Sequence, residues 1–343
     1  MLKLISISDY LKLPEPTILL DARSEGEFEQ GHIPGAISFP ILNNEERKLV
    51  GTCYKQNGHQ AAVVLGYELV GPKFKQFVAH AYKNFVDQEI FIHCWRGGLR
   101  SQIMSNLLSS AGFKVHLVRG GYKTYRQEVL NFLANDFEFE VLGGLTGSGK
   151  TYVLDELESR GSQVLNIEKL ANHKGSAFGS LGQNPQPTQE HFENLFFEVL
   201  RKFNFENPVW VEDESRLIGS LQVPTQIYQG IRNSFVYFLE YSFEDRLEHI
   251  LKEYGCFDKN ILIERTKQIK KRMGDLMNRT AIDALETGDL RAWAEVVLSH
   301  YDKQYRYGFG LRIPGNSEAI TLKNDELIKE LLFVKKIRIK KEG

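Results

Sequence analysis

Short apolar runs ending in polar residues recur along the chain, separated by stretches whose apolar positions return every three to four residues. TILLDAR (17–23), EIFIHC (89–94) and HLVRGG (116–121) predict three buried strands in the first third. FEFEVLGG (137–144), SQVLNIE (162–168), PVWVEDES (208–215) and SFVYFLEY (234–241) predict four more. Strands that alternate with helices build parallel, doubly wound sheets. Ser242-Phe-Glu-Asp245 has the spacing of a helix N-terminal cap and opens a largely helical C-terminal third. The pattern changes between residues 127 and 137. The expected fold is therefore α/β: a first α/β domain over 1–127, then a parallel-sheet α/β domain with a helical C-terminal part over 137–343.

Length supports two domains, since 343 residues is roughly twice the ~150 that serve as a prior for one. Hydrophobic residues at 42% and charged residues at 25% are globular values, and no apolar run approaches the ~18 residues of a membrane span. The opening MLKLISISDYLKL is interrupted by Asp9 and too short in its apolar part for a secretory signal. Three widely spaced cysteines, Cys53, Cys94 and Cys256, argue against a disulfide framework and for a reducing compartment, hence a cytoplasmic location. A net charge of −1 excludes a uniformly basic nucleic-acid binder. Any such role falls to local patches: Lys267, Lys270, Lys271 and Arg272, or the tail with Lys335, Lys336, Arg338, Lys340 and Lys341.

Cys94 follows the apolar run EIFI and precedes a helix, in the segment HCWRGGLRS (93–101). In open α/β sheets ligands bind at the carboxyl ends of strands. Arg96, Arg100 and the positive end of the following helix favour a thiolate there, and Gly97 and Gly98 let backbone N–H groups turn inward. The same features hold an anion, so a persulfide, a perselenide and a bound oxyanion are all compatible. Cys53 and Cys256 lack such surroundings and read as ordinary.

Gly144-Leu-Thr-Gly147-Ser148-Gly149-Lys150-Thr151 matches the phosphate-binding loop pattern between a strand and a helix. Its glycines allow amides to surround phosphate oxygens, Lys150 supplies charge and the Thr151 hydroxyl can ligate Mg²⁺. ATP, GTP and an organic diphosphate all satisfy it. In Glu212-Asp213-Glu214, at a strand end, Asp213 is the expected Mg²⁺ partner. His173, Lys174, Gly175 and Ser176 lie in a loop on the same edge, Arg216 is placed to pair with the acids or a phosphate, and Gly66 suggests a turn near the cysteine.

Two resemblances extend this reading. Asp21-Ala-Arg23-Ser-Glu-Gly-Glu-Phe28 with Gly31-His-Ile-Pro-Gly-Ala36 and Cys94 resembles the rhodanese signature, in which Asp21 and Arg23 are architectural. From Cys94 to Arg100 the loop is Cys-x5-Arg, one residue longer than the common sulfurtransferase loop and similar to that of rhodanese-related phosphatases and arsenate reductases. A rhodanese domain followed by a phosphate-loop domain, with GGYKTYR (120–126), LANHKGSAFG (170–179) and VEDESRLIG (211–219), resembles the bacterial tRNA 2-selenouridine synthases over most of the chain, thinning after about residue 255.

That resemblance implies a transferase acting on the anticodon wobble uridine of tRNA. The 2-thio sulfur is alkylated from geranyl diphosphate, and selenium from selenophosphate, supplied by a selenophosphate synthetase, then displaces geranylthiol. Cys94, Arg96 and Arg100 would serve the selenium step. Gly144, Gly147, Ser148, Gly149, Lys150 and Thr151 would bind the diphosphate, with Mg²⁺ on Thr151 and Asp213, and no ATP requirement is expected. The alternative is a rhodanese-like sulfurtransferase or phosphatase joined to a phosphate-loop kinase or NTPase.

Overall fold

The computed structural model describes residues 3–310, 312 and 317–321. The basic tail from Lys335 to Lys341 lies outside them. Contacts divide the chain into two units, Met1–Phe132 with Thr188–Glu198, and Leu133–Pro187 with Val199–Gly343. Residues 188–198, which the sequence reading places in the second domain, thus group with the first.

The first unit is built on β1 (Lys3–Ser6), β2 (Ile18–Asp21), β3 (Ile37–Ser38), β4 (Glu89–His93) and β5 (Lys114–Arg119), in the order β1-β5-β4-β2-β3 with every pairing parallel. Leu19, Leu20, Ile90 and Ile92 are fully buried, as expected of central parallel strands covered on both faces. Residues Asn44–Val70 form two helical arms that break at Gly58, where φ is 84° and ψ −179°. Gly66 lies inside the second arm, so the expected turn there is replaced by helix.

The second unit carries β6 (Glu140–Gly144), β7 (Gln163–Leu165), β8 (Val209–Glu212), the small hairpin β9 (Leu217–Ile218) and β10 (Leu221–Gln222), then β11 (Val236–Glu240) and β12 (Ser317–Thr321). Its main sheet runs β12-β11-β6-β8-β7, again parallel throughout. The edge strand β12 is absent from the sequence reading, which takes this third of the chain as largely helical. Helices from Phe243 to Gly310 pack around Trp293, whose indole N–H donates to Thr266 Oγ1 at 3.0 Å. Ser242 caps the first of them by accepting from the Asp245 amide, as its spacing predicts. Among the described residues, no helix is long and apolar enough to cross a membrane.

Candidate functional site

Each unit places one loop at the carboxyl end of a central strand. In the first, β4 hands over at Cys94 and the helix Leu99–Ser110 begins five residues later. Among the described residues, no backbone acceptor takes the amide hydrogens of Trp95 through Leu99. Unpaired amides grouped at a helix N-terminus make an anion cradle. Cys94 is buried, with its Sγ 3.1 Å from Ser101 Oγ.

The turn after β5 braces this cradle from behind. The amides of Tyr122 and Lys123 donate to the carbonyls of Cys94 and Trp95 at 2.9 and 2.8 Å. Only glycine fits at Gly121, where φ is 57° and a Cβ would stand 2.1 Å from the Cys94 oxygen. The brace is itself held by residues 188–198: the Tyr122 hydroxyl donates to Glu190 at 2.7 Å, and Asn194 Nδ2 donates to that hydroxyl at 2.8 Å. Asp21 and Arg23 form a buried ion pair at 2.6 Å, and the Arg23 guanidinium lies 3.8 Å from the Tyr122 ring centroid. That is the architectural role the sequence suggests.

The two arginines of the loop differ. Arg100 binds Glu27 in a forked pair at 2.6 and 3.3 Å, and Arg47 reaches the same carboxylate at 2.8 Å. Although burial opposes it, the Arg100 and Arg47 guanidiniums and a Ser24 amide bond hold the Glu27 carboxyl below the usual carboxylate range. Arg96 is exposed and has no ion-pair partner among the described residues.

In the second unit, β6 leads through Thr146–Gly149 into the helix Lys150–Ser159. Lys150 Nζ donates to the Gly144 carbonyl at 3.0 Å, a contact that leaves two further ammonium hydrogens for a ligand. Gly147, with φ 80°, passes so close to Arg246 that a Cβ would lie 2.9 Å from its backbone oxygen. Arg246 in turn donates to the Thr146 carbonyl at 3.0 Å and grips Asp302 at 2.8 and 2.7 Å.

The acidic segment separates at the end of β8, where the chain turns and the Glu214 amide donates to the Glu212 carbonyl at 2.8 Å. Glu212 ends β8 on the side of Thr151, whose hydroxyl works against the rise that burial causes in its carboxyl, and among the described residues its Oε1 is buried without a partner. With Glu168 and Glu214 it forms a carboxylate cluster whose ligand atoms lie within 4.8 Å of one another. Asp213, the expected metal partner, joins another network. Its carboxylate accepts from the Tyr305 hydroxyl at 2.9 Å and pairs with Arg312, while the Gly144 amide donates to that same hydroxyl at 3.2 Å. Thr151 is therefore brought together with Glu212 rather than Asp213.

Removal from water and mutual repulsion push Glu168 up to about 9 and Glu214 up to about 8, and burial raises Glu212 as well. Three carboxylates and a hydroxyl form a hard oxygen donor set that suits Mg²⁺. Nothing in the sequence marks Glu168, 44 residues upstream of Glu212, as their neighbour.

A cleft of about 2200 Å³ opens over this loop. Lys174, Gly175, Ser176, Arg216 and Arg272 line it, and Arg216 has no ion-pair partner among the described residues. His173 is buried behind the cleft. In the other predicted basic patch, Lys270 pairs with Asp275 at 3.4 Å.

Both halves of the chain have counterparts among known proteins. Residues 137–312 match the family model described as the tRNA 2-selenouridine synthase AAA domain, and residues 7–128 match the rhodanese-like domain. A tRNA 2-selenouridine synthase of Shewanella piezotolerans is 36% identical over 362 residues, covering 94% of this chain and 96% of its own. Those of Pseudomonas entomophila and Pseudomonas putida are 37% and 42% identical, each covering 84% of this chain and 86% and 87% of theirs.

Two outcomes follow from the geometry. Gly121→Ala displaces the cysteine loop, so iodoacetamide labels Cys94 several-fold faster in the variant than in the parent, measured by peptide mass spectrometry; equal rates refute the brace. For the carboxylates, folded values raised above ~4.5 mean stability present at low pH is lost as pH rises through 8 and 9. Glu168→Gln therefore raises the melting temperature at pH 8 to 9 without Mg²⁺ and shrinks the gain on adding Mg²⁺. An unchanged melting profile with and without the ion removes the cluster from metal binding.

Proposed function

The chain belongs to the tRNA 2-selenouridine synthase family, and from that premise we propose that it exchanges the 2-thio sulfur of a tRNA wobble uridine for selenium in two steps. The observation that carries this reading is the pair of furnished anion loops on one chain, one with a thiol and the other with a lysine and carboxylates.

A thiocarbonyl sulfur leaves poorly as sulfide, so the first step alkylates it. The sulfur attacks C1 of geranyl diphosphate, the C1–O bond breaks, diphosphate departs and the base loses its N3 proton. Charge builds on the departing diphosphate, where the loop amides and Lys150 stabilise it. Mg²⁺ held by Thr151, Glu212 and the neighbouring glutamates would neutralise the same oxygens. ATP hydrolysis has no place in this balance.

In the second step the selenium of selenophosphate, delivered by a selenophosphate synthetase and seated on the Trp95–Leu99 amides and Arg96, attacks C2. The C2–S bond breaks, and geranylthiolate takes up a proton. Water then hydrolyses the Se–P bond, releasing phosphate and leaving the C2 selenium. No oxidation state changes. A perselenide on Cys94 would leave an S–Se link that needs an outside thiol to break, which favours selenophosphate held beside the Cys94 thiol. In this scheme the Cys94 thiol donates the proton that the departing thiolate takes up.

The two steps separate by mutation. Cys94→Ala abolishes selenium incorporation while geranylation of thiolated tRNA persists, seen by nucleoside mass spectrometry; normal selenouridine formation removes the thiol from the chemistry. Lys150→Ala lowers geranylation by about 10²-fold or more, the scale of losing one preorganised charge donor. Geranylated tRNA formed at the parental rate would take the phosphate loop out of the reaction.

A further inference from the structure

The first unit contains a second feature that the scheme above leaves unused. Between the two helical arms of Asn44–Val70 and the start of Leu99–Ser110 lies a cavity of about 640 Å³, within the ~300–1,000 Å³ range of ligand sites. Its wall is apolar, with Ile41, Val50, Ala62, Val63, Leu99 and Ile103 among the contributors. No aspartate or glutamate belongs to the lining, whereas Lys48, Lys55 and His59 do, together with Arg47 and Arg100, which pair with Glu27. Added Cβ atoms at Gly51 and Gly66 would meet nothing within 4 Å, so the space they face is open.

The cavity adjoins the cysteine loop. Leu99 and Arg100 belong to the first turn of the helix that closes the anion cradle, and Ser101, the next residue, contacts Cys94 Sγ at 3.1 Å. A group that leaves from a carbon held over the cradle has this apolar space beside it. An apolar wall with Lys48 and Lys55 in its lining matches an apolar chain attached to a polyanion.

We propose that this cavity holds the branched ten-carbon chain of the S-geranyl nucleoside during the selenium step, with phosphodiesters of the RNA on Lys48 and Lys55. The assignment rests on the two-step reading above and adds the place where the leaving group is recognised. Burying the chain removes apolar surface from water before the C2–S bond breaks, and it orients the thioether toward the cradle. An S-methyl group gains neither effect.

The test uses the full-length chain, selenophosphate and two synthetic tRNAs carrying S-geranyl- or S-methyl-2-thiouridine, with selenouridine read by nucleoside mass spectrometry. The parent protein converts the geranyl substrate at least tenfold more efficiently in kcat/KM. In Gly51→Leu, which adds bulk to open space, and in Val63→Asp, which places a charge in the apolar wall, that ratio falls toward one. Equal conversion of both substrates by the parent, or full chain preference retained in both variants, overturns the cavity assignment while leaving the displacement chemistry standing. Conversion of neither substrate sinks the displacement reading and the cavity with it.

Discussion

An amide hydrogen without an acceptor costs on the order of a hydrogen bond when it is withdrawn from water, and parallel sheets create such amides wherever a strand passes into a helix. Both units meet this constraint at the same place in their architecture. Among the described residues, the amides of Trp95 through Leu99 after β4 have no backbone acceptor, and neither do those of Thr146, Gly147 and Gly149 through Thr151 after β6. An anion satisfies a whole group of them at once. The surroundings keep the loops in that unsatisfied shape: Gly121 and Tyr122 behind the first, Arg246 and Tyr305 behind the second.

That bracing explains which parts were legible from sequence. Cys94 with its glycines and arginines, and Gly144 to Thr151, are local: their chemistry lies in consecutive residues, so spacing alone finds them. The acids at the end of β8 could not be placed as easily. Glu212 is the last residue of the strand and the chain turns directly after it, so the sequence reading chose Asp213 where Glu212 lies toward Thr151. Glu168 joins through the sheet order β8-β7, a pairing that no local pattern encodes. The strand β12 was hidden because it pairs with β11 from the far side of the helices between Phe243 and Gly310.

Residues 188–198 show the same limit in another form. Their helical periodicity was readable, but their destination was not. Glu190 and Asn194 converge on Tyr122, the residue next to Gly121, and so a segment inserted in the second unit's sequence stiffens the first unit's cysteine loop. Side-chain hydrogen bonds over some seventy residues of separation leave no trace in a single sequence.

The electrostatics of the two loops are solved in opposite ways. Around Cys94 one of the loop's two arginines, Arg100, is already held by Glu27, which leaves neutral amides and exposed Arg96 to attract an anion. An anion bound chiefly by dipoles is held without deep charge neutralisation, which preserves the nucleophilicity of an atom such as selenium. Around Lys150 the balance tips the other way. Three carboxylates repel one another beside one ammonium, an arrangement that a cation would relieve and that, in the proposed reaction, would ready the site for a highly charged leaving group. In the reaction proposed above the first loop would present the nucleophile and the second would absorb departing charge, the two tasks of a substitution that first makes a leaving group and then uses it.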